Sequence, residues 1–272
     1  MTGAPATRPG PARKRRAVSR IVLTIEPESL GGEAIVTAVR LARAYHAELV
    51  ALFVKTSDMM NMASLPFGAV VTSRGGVTRV IDRTMLDHRL DRLARQAEEL
   101  LSRAASGVRW SFRVASGHTE QVAAGEALQG DLLAICSRTA RQVADTVTTA
   151  SSLLLLGGGI GGGRPVIALY EGDTGVLAAA REMAEAFGGE LGVVLPHGLD
   201  ARARRRGLDW LARRDLSAQV MQFSDPDGAA LAAEIAGMRP GLLVMGRDGA
   251  AARDVRLAHE AGRSTVPLLL VS

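Results

Sequence analysis

Hydrophobic positions along this chain form short continuous runs, separated by segments with helical periodicity. Arg20-Ile-Val-Leu-Thr-Ile25 is a β-branched apolar run that predicts a strand, and Pro27, Ser29, Gly31 and Gly32 behind it predict a turn that opens a helix. Over residues 33–46, Ala34, Ile35, Ala38, Leu41, Ala42 and Tyr45 recur at helical spacing, so one face of that helix is expected to lie on a sheet. Glu48-Leu-Val-Ala-Leu-Phe-Val54 predicts the next strand.

The same order returns after Gly163. Pro165-Val-Ile-Ala-Leu-Tyr170 predicts a strand, Leu177, Ala180, Met183, Ala184 and Phe187 mark one helix face, and Glu190-Leu-Gly-Val-Val-Leu195 predicts a second strand. Further on, Gly130-Asp-Leu-Leu-Ala-Ile-Cys136 is echoed by Pro240-Gly-Leu-Leu-Val-Met-Gly246, and Ser152-Leu-Leu-Leu-Leu156 by Pro267-Leu-Leu-Leu-Val271. Each half therefore reads β-α-β-α-β-α-β-α-β. Continuous apolar strands alternating with amphipathic helices imply a parallel sheet covered on both faces, because right-handed crossovers place helices there. The expected fold class is α/β, with two tandem Rossmann-like domains, each a five-stranded mostly parallel sheet with helices on both faces.

The expected division is a disordered basic arm over 1–19, a first domain over 20–156, a glycine linker over 157–163 and a shorter second domain over 164–272. An insertion over 57–82, rich in methionine (Met59, Met60, Met62) and containing Leu65, Pro66 and Phe67, accounts for much of the length difference. Packing over its own sheet is the simpler reading of that insertion, and a lid or partner surface the alternative. In parallel sheets of this kind ligands bind beyond the carboxyl ends of the strands, which directs attention to the loops after Ile25, Ile135, Tyr170 and Met245.

Composition narrows the picture. The chain has 272 residues, room for two ordinary domains, and its 47% hydrophobic and 22% charged content is that of a folded protein. Aromatic residues make up only 3%, so the cores must be aliphatic. The net charge of +5 is concentrated at the start, where Arg8, Arg13, Lys14, Arg15, Arg16 and Arg20 stand without an acidic residue. Such an arm is suited to nucleic acid or an anionic membrane surface, although a solvated terminus is the simpler reading. Cys136 is the only cysteine, which excludes an intramolecular disulfide and a thiolate metal cluster. No secretory apolar segment and no membrane-length apolar stretch occurs, so a cytoplasmic location is expected.

Motifs add little chemistry. Gly157-Gly-Gly-Ile-Gly-Gly-Gly163 contains the spacing G-x-G-x-x-G, but Arg164-Pro165 leads from it into a strand and not a helix, so it reads as a flexible joint. Gly246-Arg-Asp-Gly249 directly follows a strand and is the best phosphate-site candidate, an ordinary strand-to-helix turn being the plainer alternative. Arg202, Arg204, Arg205, Arg206, Arg213 and Arg214 lie near Trp210, with Leu208 and Leu211 expected to face the core and the arginines water. The histidines are isolated, and neither a nucleophile elbow nor a P-loop is present, so no catalytic residue and no metal ligand is expected.

This arrangement resembles the universal stress protein family in its tandem form, over roughly residues 20–272. The resemblance rests on Arg20–Ile25 with its helix, on Glu48–Val54, on the strand ending Cys136-Ser-Arg138, and on Gln142-Val-Ala-Asp-Thr-Val147. It implies, for members that bind ATP, an aspartate after the first strand and G-x2-G-x9-G-S/T after the fourth. Here Glu26 stands at the aspartate position, Cys136 and Thr139 stand at the glycine pair, and Arg141-Gln142 replaces the final Gly-Ser. The second half offers Tyr170 or Glu171 as the acid, keeps Gly246 and Gly249, and reaches Asp254-Val255 too soon. A shortened loop without those N–H donors leaves phosphate charge unsolvated.

What the resemblance implies is a non-catalytic regulatory or stress-response protein with a degenerate ATP-binding motif. It would be an internal pseudo-dimer, able to form homo-oligomers, that acts through an unknown protein partner or a small ligand. The alternative is an adenine-nucleotide-binding protein, taking ATP or AMP through Gly246, Gly249 and Glu26. A further alternative is nucleic-acid binding through the basic arm and the arginine-rich helix, which predicts affinity falling steeply with salt.

Overall fold

The computed structural model describes residues 18–30, 32–57, 69–70, 79–80, 83–128, 131–136, 152–156, 159–251, 253–254 and 266–272. In the first half these form β1 (Arg20–Ile25), α1 (Gly32–Tyr45), β2 (Glu48–Thr56), a short antiparallel pair of β3 (Ala69–Val70) and β4 (Arg79–Val80), α2 (Arg83–Ala104), β5 (Trp110–Gly117), α3 (Thr119–Glu126), β6 (Leu132–Cys136) and β7 (Ser152–Leu155). The second half has β8 (Val166–Leu169), α4 (Thr174–Phe187), β9 (Leu191–Leu195), α5 (Ala201–Ala212), β10 (Ala218–Gln222), α6 (Gly228–Gly237), β11 (Leu242–Gly246) and β12 (Leu268–Val271). The basic arm, most of the 57–82 insertion, residues 137–151 and Gly157-Gly158 lie outside the described residues.

All ten long strands join one sheet, in the order β10-β9-β8-β11-β12-β7-β6-β1-β2-β5. Within each half every pair is parallel, and the strands stand in the order third, second, first, fourth, fifth. The halves meet where β12 pairs antiparallel with β7, from Leu268 opposite Leu155 to Val271 opposite Ser152. The leucine-rich runs at this seam are buried on both sides of the sheet, one face packing with Leu154 and Leu269, the other with Leu153 and Leu270. That two-sided burial is why these strands read as unbroken apolar runs.

One core is continuous across both halves and lies under α1 and α4. Those helices touch: the Tyr45 hydroxyl donates to Glu182 Oε2 at 3.1 Å, and the Arg40 guanidinium lies 4.7 Å from the centre of the Phe187 ring. The described part of the glycine run, residues 159–163, is bonded to α1. The Gly159 N–H donates to Glu33 Oε2 at 3.2 Å, the Ile160 N–H donates to Thr37 Oγ1 at 3.1 Å, and Ile160 is 5% exposed. An apolar residue among the glycines supplies the anchor.

The arginine-rich helix corrects one expectation. Leu211 is buried, but Leu208 is 38% exposed, and the core-facing stripe of α5 is Ala203, Gly207 and Leu211. The Tyr170 ring determines this choice: its hydroxyl donates to the Ala203 carbonyl at 3.0 Å, and a Cβ on Gly207 would lie 2.6 Å from the ring. Burial pushes the Tyr170 hydroxyl pKa up, against the opposing pull of Arg206. The arginines of α5 stay on its exposed side.

Candidate functional site

The two halves can be aligned through sheet register. Ile21 pairs with Leu49 and Leu132 in the first half, and Val166 pairs with Leu191 and Leu242 in the second. Counting along the strands, Cys136 and Gly246 are equivalent, and Glu26 is the counterpart of Glu171, not Tyr170. Each half thus carries a glutamate just past the carboxyl end of its first strand, where such sheets bind ligands.

These two carboxylates are used differently. Glu26 is only 4% exposed, and the Thr119 hydroxyl at the start of α3 donates to its Oε1 at 2.6 Å. Glu171 instead leans over the loop after β11. Its Oε1 accepts the Ala251 N–H at 2.8 Å, and its carboxyl group lies so close to Gly249 that any Cβ there would collide with it. Gly246 is not crowded in this way, since a Cβ on it would meet nothing nearer than Val176 Cγ2 at 3.9 Å. A side chain at 249 would therefore have to push the Glu171 carboxylate aside.

At the start of α6 in the second half, the Asp254 side chain crowds Gly228. The contacts of Thr119, Glu171 and Asp254 were not foreseen from the sequence. Only the matched spacing of Glu26 and Glu171 after their strands hinted at the second of them.

Gly246 and Gly249 are brought together at the end of β11, whereas Glu26 lies at the end of β1, with β12, β7 and β6 between. The three do not form one site. Thr139, Arg141 and Gln142 fall outside the described residues. In the second half Glu171 bonds to the loop after β11, and in the first the buried Cys136 stands where the second half has glycine. Among the described residues no group of three or more His, Cys, Asp or Glu is placed to hold a metal ion, and no helix is long and apolar enough to cross a membrane.

The sheet order, the crossovers and the acids at the strand ends define a doubly wound α/β protein. No family model matches the sequence, and no curated protein matches it either. Solved structures do. A universal stress protein from Archaeoglobus fulgidus superposes with a TM-score of 0.56 at 14% identity, over 93% of this chain and 96% of that one. A functionally unknown protein from Pseudomonas aeruginosa reaches 0.59 at 16% identity, covering 94% of this chain and 92% of its own. Another Pseudomonas aeruginosa protein, provisionally assigned to the universal stress proteins, reaches 0.59 at 15% identity over 94% and 93%. The chain has the fold of the universal stress proteins.

Proposed function

We propose that this chain is a non-catalytic regulatory protein of universal stress type whose nucleotide site has lost most of its affinity, and which acts through a protein partner or a small ligand. Residues 20–156 and 164–272 are its two domains, packed as an internal pseudo-dimer, a division supported by the β7–β12 seam and the α1–α4 contact. The observation that carries the reading is the Glu171 carboxylate seated against Gly249 and the Ala251 N–H. A phosphate entering that loop would meet a fixed negative charge. Two unit charges about 4 Å apart oppose each other by about 4 kcal/mol at an effective dielectric near 20.

The test is calorimetry with Mg·ATP and, separately, AMP, after mass spectrometry has checked for ligand that co-purifies. The expected result is no saturable ATP binding by the wild-type chain, measurable binding by Glu171→Ala, and no ATP hydrolysis by either. Micromolar ATP binding by the wild type overturns the reading. A second reading, adenine-nucleotide binding with residual affinity, is favoured by the uncrowded Gly246, where a Cβ would make only an ordinary contact with Val176. It predicts that Gly246→Val abolishes a nucleotide response that the wild type shows.

A further inference from the structure

Lys55 and His197 are equivalent positions, six residues beyond Leu49 and Leu191, which both pair with the first strand of their half. In the first half the Lys55 ammonium is neutralised from the helix that follows: its Nζ lies 2.7 Å from Asp91 Oδ1 and 3.9 Å from Asp87 Oδ1, both on α2. In the second half the helix in that place is α5, which presents Arg204. His197 and Arg204, with Gln222 and Ser224, line a cavity of about 270 Å3 beyond the carboxyl ends of β9 and β10, and no acidic residue lines it. The compensating carboxylate of the first half has no replacement here.

The nearest acids in sequence are held elsewhere. Asp200 accepts the Ala203 N–H at 3.1 Å, Asp225 accepts the Asp227 N–H at 2.9 Å, and Asp227 accepts the Ala229 N–H at 2.9 Å. The cavity wall is anchored, because the Phe223 N–H donates to the Leu195 carbonyl at 2.9 Å and so extends the β9–β10 pairing to the residue before Ser224. Gly198, in the left-handed region at φ 75°, turns the chain between β9 and α5.

We infer that this cavity binds a small phosphomonoester, with Arg204 and His197 meeting the phosphate and Gln222 and Ser224 donating to its remaining oxygens. A guanidinium fork matches phosphate oxygens in pairs, and four donor groups exceed what a carboxylate can use. The volume falls just below the roughly 300–1,000 Å3 typical of small-molecule sites, which suits a sugar phosphate and not a nucleotide. The site is separate from Glu171 and stands whether or not the nucleotide reading holds.

The experiment is calorimetry on the full chain at low salt with ribose 5-phosphate, inorganic phosphate and ribose. Ribose 5-phosphate is expected to bind saturably and ribose not at all. Arg204→Gln is expected to weaken binding roughly tenfold or more, and His197→Asn to weaken it as well. Arg202→Gln, on the same helix but outside the cavity, is expected to leave binding unchanged. Inorganic phosphate that binds as tightly as the ester identifies the free ion as the ligand, whereas markedly weaker binding identifies the ester. Failure of both phosphate compounds to bind, or binding untouched by Arg204→Gln, overturns the proposal.

Discussion

Glu26 and Glu171 occupy the same register in two halves of one sheet, yet one is sealed under α3 and the other guards a glycine loop. The local sequence around each is a strand followed by a glutamate. The difference comes from what the rest of each half offers. In the first half a hydroxyl waits at Thr119, while in the second the start of α6 is a bare glycine already crowded by Asp254. Duplicate halves can therefore keep a residue and change its task, because a side chain's partner is chosen by elements distant in sequence.

Removing each glutamate in turn separates the two roles. Glu26→Ala leaves a buried void and a buried Thr119 hydroxyl without its acceptor, and is expected to cost about 2 kcal/mol in urea denaturation. Glu171→Ala, at a half-buried position, is expected to cost no more than about 1 kcal/mol. Equal costs would mean that the two carboxylates are structurally interchangeable.

The two glycines give the next largest contrast. Gly249→Ala must displace the Glu171 carboxylate and break its bond to Ala251, and is expected to lose about 1 kcal/mol, whereas Gly246→Ala should stay within about 0.5 kcal/mol. Thermal melts of the two variants measure this directly. A harmless Gly249→Ala would place Glu171 away from the loop.

Tyr170 has Ile25 as its apolar counterpart, so Tyr170→Phe makes the halves more alike at a cost of about 1 kcal/mol for the lost bond to Ala203. Because burial raises the Tyr170 pKa, its contribution is fully present below the ordinary tyrosine value near 10 and is lost as pH rises through the raised value. Tyr170→Phe should remove that alkaline loss of stability, and at neutral pH show only the constant loss of the Ala203 bond.

The smallest effect belongs to Lys55 and Asp91. The hydrogen bond from Lys55 lowers the Asp91 pKa, so this pair's contribution is present above the ordinary carboxylate value near 4 and is lost as pH falls through the lowered one. Lys55→Met should erase that acid-limb difference in an equilibrium unfolding series. Both Asp91 and the wider pair are solvent-accessible, so the change should be slight.

Much of the fold was legible because its signals are local. The helix over 33–46 and the strand beginning at Glu48 agree with α1 and β2 to within a residue or two, since apolar periodicity reports burial directly. Leu208 was misplaced because Leu208 and Leu211 both satisfy helical spacing, and only the Tyr170 ring against Gly207 decides which stripe faces inward. Gly246 and Gly249 were found as a loop after a strand, but the glycine pattern is blind to whether a ligand or a carboxylate lies above it. The cavity at Arg204 leaves no mark in the sequence because His197, Arg204, Gln222 and Ser224 come from two loops, a helix and the end of a strand, with no shared spacing.

The recurrence of apolar side chains along the chain specifies a repeated run of strands and helices, their parallel pairing within each half and the aliphatic character of the core. Contacts between distant segments specify that the halves share one sheet through β7 and β12, that Glu171 lies against Gly249 while Glu26 accepts from Thr119, and that Arg204 and His197 line one cavity without a carboxylate. Those outcomes depend on contacts between residues far apart in the chain, where periodicity carries no information and geometry alone selects the partner.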